Sequence, residues 1–164
     1  MADPLSVTAS AIAVLGTGAA CAKALLSIIQ SIRNAPEELM ALSNEVNNVN
    51  AIIHEVSKLC ESLAVENSST AQFIETLERL LKEAKVVLDA LNNGLVSLVW
   101  KPKSRVQKFD QSVSWLSRKT WAKKYLLRLQ NIRTNITALL VSKTVLVLLR
   151  ASFSIIGMFF PISS

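Results

Sequence analysis

Glycine and proline are scarce, with four of each among 164 residues. Together with a hydrophobic share of 51%, that scarcity excludes a disordered chain and a turn-rich all-β sandwich. Histidine is rarer still: His54 stands alone, with no cysteine or carboxylate cluster around it in the chain. Neither Cys21 nor Cys60 has a base beside it, and acids such as Glu45, Glu55 and Glu75 fall on solvated helix faces. These absences speak against an enzyme, and no cofactor, metal or small-molecule substrate is expected. No phosphate-binding G-x-x-x-x-G-K-[ST] loop occurs. The two cysteines sit at apolar helical positions and read as unbridged core residues of a protein in a reducing compartment.

Charge is absent where a surface helix needs it. From Pro4 to Ala22 there is no charged side chain. Two interlocking apolar stripes run down this first helix. One is Leu5, Ile12, Leu15, Ala19, Ala22, Leu26 and Ile29; the other is Val7, Val14, Gly18, Cys21, Leu25, Ile28 and Ile32. A helix apolar on every side is expected at the centre of a bundle or in lipid. The triplet Ala20-Cys21-Ala22 imitates a signal-cleavage site. Asp3, the lack of Lys or Arg before the run, and periodicity continuing to Ile32 favour a cytoplasmic protein instead. Asp3 and Pro4 suit a helix start, and Asn34-Ala35-Pro36 suits its end. Gly16, Gly18, Ala19 and Ala20 form a small-residue patch open to close helix approach.

Two long amphipathic helices follow. The second carries Leu39, Leu42, Val46, Val49, Ile53, Val56, Cys60 and Leu63 at 3-4 spacing. The third repeats the pattern with Ile74, Leu77, Leu81, Ala84, Leu88, Leu91, Leu95 and Leu98, widened by Phe73, Leu80 and Val87. Such spacing predicts near-parallel helix packing. The fold class is therefore all-α, a bundle of four to five helices with an antiparallel helix 2–helix 3 hairpin and an apolar N-terminal helix.

Acid is missing from the C-terminal part. Residues 1–100 hold 6 Lys/Arg against 11 Asp/Glu, whereas residues 101–164 hold 12 against 1. The cations include Lys101, Lys103, Arg105, Lys108, Arg118, Lys119, Lys123 and Lys124, interleaved with Phe109, Trp115, Trp121 and Tyr125. They suit an anionic membrane surface, and nucleic acid less well. They equally suit neutralisation by the acidic helices of the same molecule. A fourth helix is readable through Trp121, Tyr125, Leu129, Ile132, Ile136 and Leu139. The division into domains is a bundle over 1–140 and an apolar helix or tail over 141–164. In that tail Lys143 and Arg150 share one helical face, which favours a final bundle helix over a transmembrane span.

The opening Met1-Ala2-Asp3-Pro4-Leu5-Ser6 with Ala9-Ser10, then Asn34-Ala35-Pro36-Glu37-Glu38 with Leu42 and Glu45, and Trp121-Ala122-Lys123-Lys124, carry a resemblance. The chain resembles the N-terminal helical domain of fungal STAND (NLR-type) proteins of the HeLo-like group, over residues 1 to about 140. The resemblance implies a signalling or effector module of immune or cell-death type, acting through oligomerisation and membrane association of its first helix. The membrane-inserting candidates are then Leu5, Ile12, Val14, Leu15, Gly16 and Gly18. Partners would be a second copy, other helical proteins or an anionic membrane surface. The alternative is a passive interaction scaffold whose first helix stays buried.

Overall fold

The computed structural model describes residues 4–32, 34–63, 71–98 and 119–159. Four helices make up these residues: α1 (Pro4–Ser31), α2 (Glu37–Leu63), α3 (Ala71–Leu98) and α4 (Lys119–Phe159). There is no strand among the described residues. The all-α bundle with an apolar first helix is thus the architecture, built from four helices.

Local sequence explains the boundaries. Pro4 occupies the first turn of α1, where its missing N–H costs nothing. The Pro36 carbonyl accepts hydrogen bonds from the N–H groups of Leu39 (3.0 Å) and Met40 (3.3 Å), so Pro36 caps α2 one residue before its first turn. Glu37 and Glu38 then lie at the positive end of the helix dipole. The expected cap Asp3, Trp115 and Phe109 lie outside the described residues.

The arrangement around the core differs from a side-by-side hairpin. α1 packs against α2 and α3, and α4 packs against the same two helices. The Cα atoms of α2 and α3 nowhere approach within 8 Å, nor do those of α1 and α4. The four helices therefore stand at the corners of a square, with α2 and α3 antiparallel across one diagonal and α1 and α4 across the other. The 3-4 stripes of α2 and α3 both point to the centre, which is why each looked like the partner of the other. From Leu39 to Cys60 on α2 and from Ile74 to Leu95 on α3, every residue of the two stripes is buried.

Direction follows from contacts along α4. At its start, Lys119 pairs with Glu38 of α2 and Trp121 lies against Gly94 of α3. Twenty-odd residues later the Lys143 ammonium stands 5.7 Å over the ring of Phe73, near the start of α3. So α4 runs antiparallel to α3 and parallel to α2. At 41 residues it outruns α3, at 28, by about 20 Å at 1.5 Å per residue. α4 runs on to Phe159 without a break, so the boundary drawn near residue 140 falls inside one helix.

Two further expectations are corrected. α1 is not surrounded: its second stripe, Val7, Val14, Gly18, Cys21, Leu25 and Ile28, is buried, while Leu5, Ile12, Ala19 and Leu26 of the first stripe are exposed. A corner helix in a four-cornered bundle touches two neighbours only, so one stripe must face outward. Glu45 is not solvated but 4% exposed, because Arg133 of α4 crosses to it, with Nε donating to Oε1 at 2.6 Å. A charge at that position is tolerated only with its partner in place.

Candidate functional site

Among the described residues, the features with functional content are surfaces. The outer face of α1 comes first. Leu5, Ile12 and Leu26 are 68%, 59% and 53% exposed, with Ala9, Ala13, Gly16, Ala19 and Ala20 between them, also exposed. A Cβ added at Gly16 would meet nothing within 4 Å, so among the described residues nothing packs against α1 at that point. Gly18 is different: its own side faces α2, and a Cβ there would run into Oδ1 of Asn50. The small-residue patch therefore divides, with Gly18 serving close packing inside the molecule and Gly16, Ala19 and Ala20 open to the outside. Of the insertion candidates, Leu5, Ile12 and Gly16 are presented at the surface, Leu15 is half-buried, and Val14 and Gly18 are buried.

The inner face of α1 is tied by more than apolar burial. Thr17 Oγ1 donates to Asp89 Oδ1 of α3 at 3.2 Å. Lys85 Nζ donates to the other oxygen of Asp89 at 2.7 Å. The Lys85 bond, aided by Thr17, holds the Asp89 carboxyl below the usual carboxylate range. The Cys21 thiol donates to the Leu88 carbonyl at 3.3 Å. Burial, reinforced by the Asp89 charge, pushes the Cys21 thiol up to about 12; burial also pushes Cys60 up to about 11, with Glu61 adding to it. Both cysteines are buried and free, and thiols so protonated supply no nucleophile at neutral pH. Asn50 Oδ1, against Gly18, is buried without a hydrogen-bond partner.

Basic residues form the second surface. Lys101, Lys103, Arg105, Lys108 and Arg118 lie outside the described residues. Of the rest, Lys119 is engaged: its Nζ stands 2.6 Å from Glu38 Oε1, which raises the lysine and holds the Glu38 carboxyl low. Lys123, Lys124 and Arg128 are exposed around the start of α4. Two of the cations of α4, Lys119 and Arg133, are thus matched to acids of α2, as the internal explanation of the charge imbalance requires. Trp121 and Tyr125 are half-buried and tilted against each other, ring centroids 4.9 Å apart at 56°, so they serve packing first.

The two sets of candidates are not brought together. Lys119, Lys123 and Lys124 stand at the end of the bundle where α1 finishes and α2 begins, whereas Leu5 and Ile12 stand toward the opposite end, on the other diagonal corner. What does share that end with Leu5 is the exposed apolar stretch of α4 past Lys143. Val145, Leu146, Val147 and Leu148 are each about half exposed or more, at 48–61%. A helix of 41 residues cannot be matched along its whole length by neighbours of 27 and 28.

Chemical groups of other kinds are sparse. His54 is exposed. Among the described residues no group of three or more His, Cys, Asp or Glu is placed to hold a metal ion. α1, over Leu5–Ser31, is long and apolar enough to cross a membrane, a test that core helices of soluble proteins and signal sequences also pass.

A model of the family described as "Pigment biosynthesis cluster protein PigL N-terminal" matches residues 2–139. The match ends within α4, close to where the bundle ends and the exposed continuation begins. No curated protein and no solved structure matches the chain.

Proposed function

The chain belongs to the PigL N-terminal family, and on that premise we propose that it is a non-enzymatic N-terminal effector module that oligomerises and associates with membranes through α1. The observation that carries this reading is the outer face of α1, exposed and free of charge from Leu5 to Ala20. A globular protein in water gains nothing from such a face, and faces of this kind mark contact with lipid or with another protein. The HeLo-like resemblance supports the same reading and supplies its biological class, immune or cell-death signalling. The exposed Lys123, Lys124 and Arg128 add attraction to anionic lipid, at about 1 kcal/mol per basic residue near the surface.

A second reading is favoured by a specific observation. Thr17–Asp89, Cys21–Leu88 and the Gly18–Asn50 contact tie the inner face of α1 to both neighbours. They suit a scaffold in which α1 never leaves and its outer face receives another helical protein.

Dye release from phosphatidylcholine vesicles, with and without phosphatidylserine, separates the two. Ile12→Glu puts a charge on the outer face without touching the core. The effector reading requires release by the wild type and its loss in Ile12→Glu at unchanged stability. Release that is equal in both proteins, or absent from the wild type, leaves the scaffold.

A further inference from the structure

The outer row of α1 matches itself when reversed. Leu5, Ile12, Ala19 and Leu26 follow one another at seven-residue spacing, and all four are exposed. Turned end for end about a point between Leu15 and Gly16, the row falls on its own copy: Leu5 meets Leu26 and Ile12 meets Ala19. A large side chain then faces a small one on either side of the centre, and leucine faces leucine at both ends. Seven-residue spacing is the row along which two helices pack at a shallow, left-handed crossing. Gly16 stands at the centre, where an added Cβ would meet nothing within 4 Å.

Charge picks out the same centre independently. Lys23 is the one charged residue from Pro4 to Ile32. It shares the outer face with Gly16 and Ile12, seven and eleven residues before it, and is exposed. On α2, Asn50 lies against Gly18. Glu61, eleven residues farther along α2, falls on nearly the same side of that helix and is exposed. α1 and α2 are joined through residues 32–36 and run antiparallel, so Glu61 stands level with about residue 7 of α1. Within one molecule Lys23 and Glu61 are therefore about 24 Å apart along the bundle. Rotated about the centre of the apolar row, Lys23 of a second copy arrives level with residue 8, beside Glu61, and the exchange is reciprocal. Among the described residues neither Lys23 nor Glu61 has an ion-pair partner in its own chain.

We propose that the outer face of α1 is a homodimer interface, in which α1 of two copies packs antiparallel about a two-fold axis beside Gly16. The occupant is a second copy because the face is complementary to itself in both shape and charge, the condition a two-fold interface imposes. From Leu5 to Leu26 the contact is about 32 Å long. Two helices joined over that length bury on the order of 1,000 Å² in total, the lower bound for a specific interface, which suits a dimer of roughly micromolar affinity. The pair covers Leu5, Ile12 and Gly16, so the dimer withholds from lipid the face that the monomer presents. This rests on the oligomerisation part of the reading above and adds to it a geometry and a control by concentration.

Sedimentation equilibrium of the full 164-residue chain across the micromolar range tests the pair. The wild type is expected to show a monomer–dimer equilibrium. Lys23→Glu should raise the dissociation constant by about tenfold or more, because two like-charge contacts replace two ion pairs. Lys23→Glu combined with Glu61→Lys should bring it back toward the wild-type value. Both side chains are exposed, so the Tm of the dilute protein should not move. Oxidative cross-linking reads the direction of the helices. Gly16→Cys should link to its own copy, Leu5→Cys should not, and a mixture of Leu5→Cys with Leu26→Cys should; the native Cys21 and Cys60 are buried. A wild type that is monomeric throughout overturns the inference and leaves the face to lipid, to another protein or to the chain's own residues. A dimer indifferent to Lys23→Glu, or one in which Leu5→Cys links to itself, overturns it as well. Dye release keeps the membrane reading separate. A dimer that behaves as described but releases no dye upholds the pair and defeats membrane action by α1, whereas release by a protein that never dimerises does the reverse.

Discussion

α1 and α2 meet the same structural demand with different sequences. Both are corner helices of nearly equal length, 28 and 27 residues, and both bury one stripe at 3-4 spacing. On its outer side α2 carries Asn44, Asn47, Asn48, His54 and Glu55, all exposed. α1 carries Leu5, Ala9, Ile12, Ala13, Gly16, Ala19 and Ala20 there. The bundle needs only the inner stripe, so the outer face of α1 is not explained by folding. The contrast separates residues held by the core from residues free to do something else.

The comparison breaks most visibly when a charge is moved across α1. Val14→Glu places an unpaired carboxylate in the core and should cost about 3–5 kcal/mol, unfolding a marginal domain outright. Ile12→Glu, half a turn away, should stay within about 0.5 kcal/mol of the wild type. Urea titrations of the two variants read the difference directly, and equal losses would mean that α1 is buried on both sides.

The next effect concerns α2, whose only buried acid depends on α4. Arg133→Ala leaves Glu45, 4% exposed, without its partner. The expected loss is about 1–3 kcal/mol by chemical denaturation. Arg133→Ala combined with Glu45→Gln should recover part of it, because no charge is then left in the interior.

A smaller effect compares two glycines of α1 itself. Gly16→Ala meets open space and should stabilise by up to about 1 kcal/mol through helix propensity and a less flexible unfolded chain. Gly18→Ala gains the same propensity but must displace the side chain of Asn50, so its Tm should fall below that of Gly16→Ala. The order of the two melting temperatures checks which side of α1 faces α2.

Acid provides the mildest test. The Lys119 and Lys85 partners hold Glu38 and Asp89 below their ordinary range, so the unfolded chain takes up protons before the folded one. Their contribution is present above about pH 4.5 and fades as pH falls through the lowered folded values. Each carboxylate is paired with a lysine that is about half exposed, where water screens the pair, and the effect is small. In Lys119→Met the acid limb of the Tm–pH curve should flatten, since the largest cause that lowers the Glu38 carboxyl is then gone.

The comparison also shows where sequence reading succeeds. Every described stripe position of α2 and α3 is buried, because a polar opposite face leaves one way to orient each helix. α1 has no polar face, so its two stripes were equivalent in one dimension and only the neighbours selected Val7–Val14–Cys21–Leu25. Glu45 read as solvated because its partner lies 88 residues away. The candidate surface was half legible: Leu5, Ile12 and Gly16 are outside, whereas Val14 and Gly18 are not. The grouping of those residues with Lys119, Lys123 and Lys124 was not legible, since it depends on which ends of α1 and α4 coincide.

The sequence by itself determined the helices, the core stripes of the amphipathic ones, the free buried cysteines and the uneven charge, because each is a local matter of residue type and 3.6-residue periodicity. The tertiary structure alone decided three things: the diagonal placement of α2 and α3, the outward face of α1, and the exposure of residues 144–148 of α4. Each of these depends on how many neighbours a helix has and how long they are, and neither is a property of the helix's own residues.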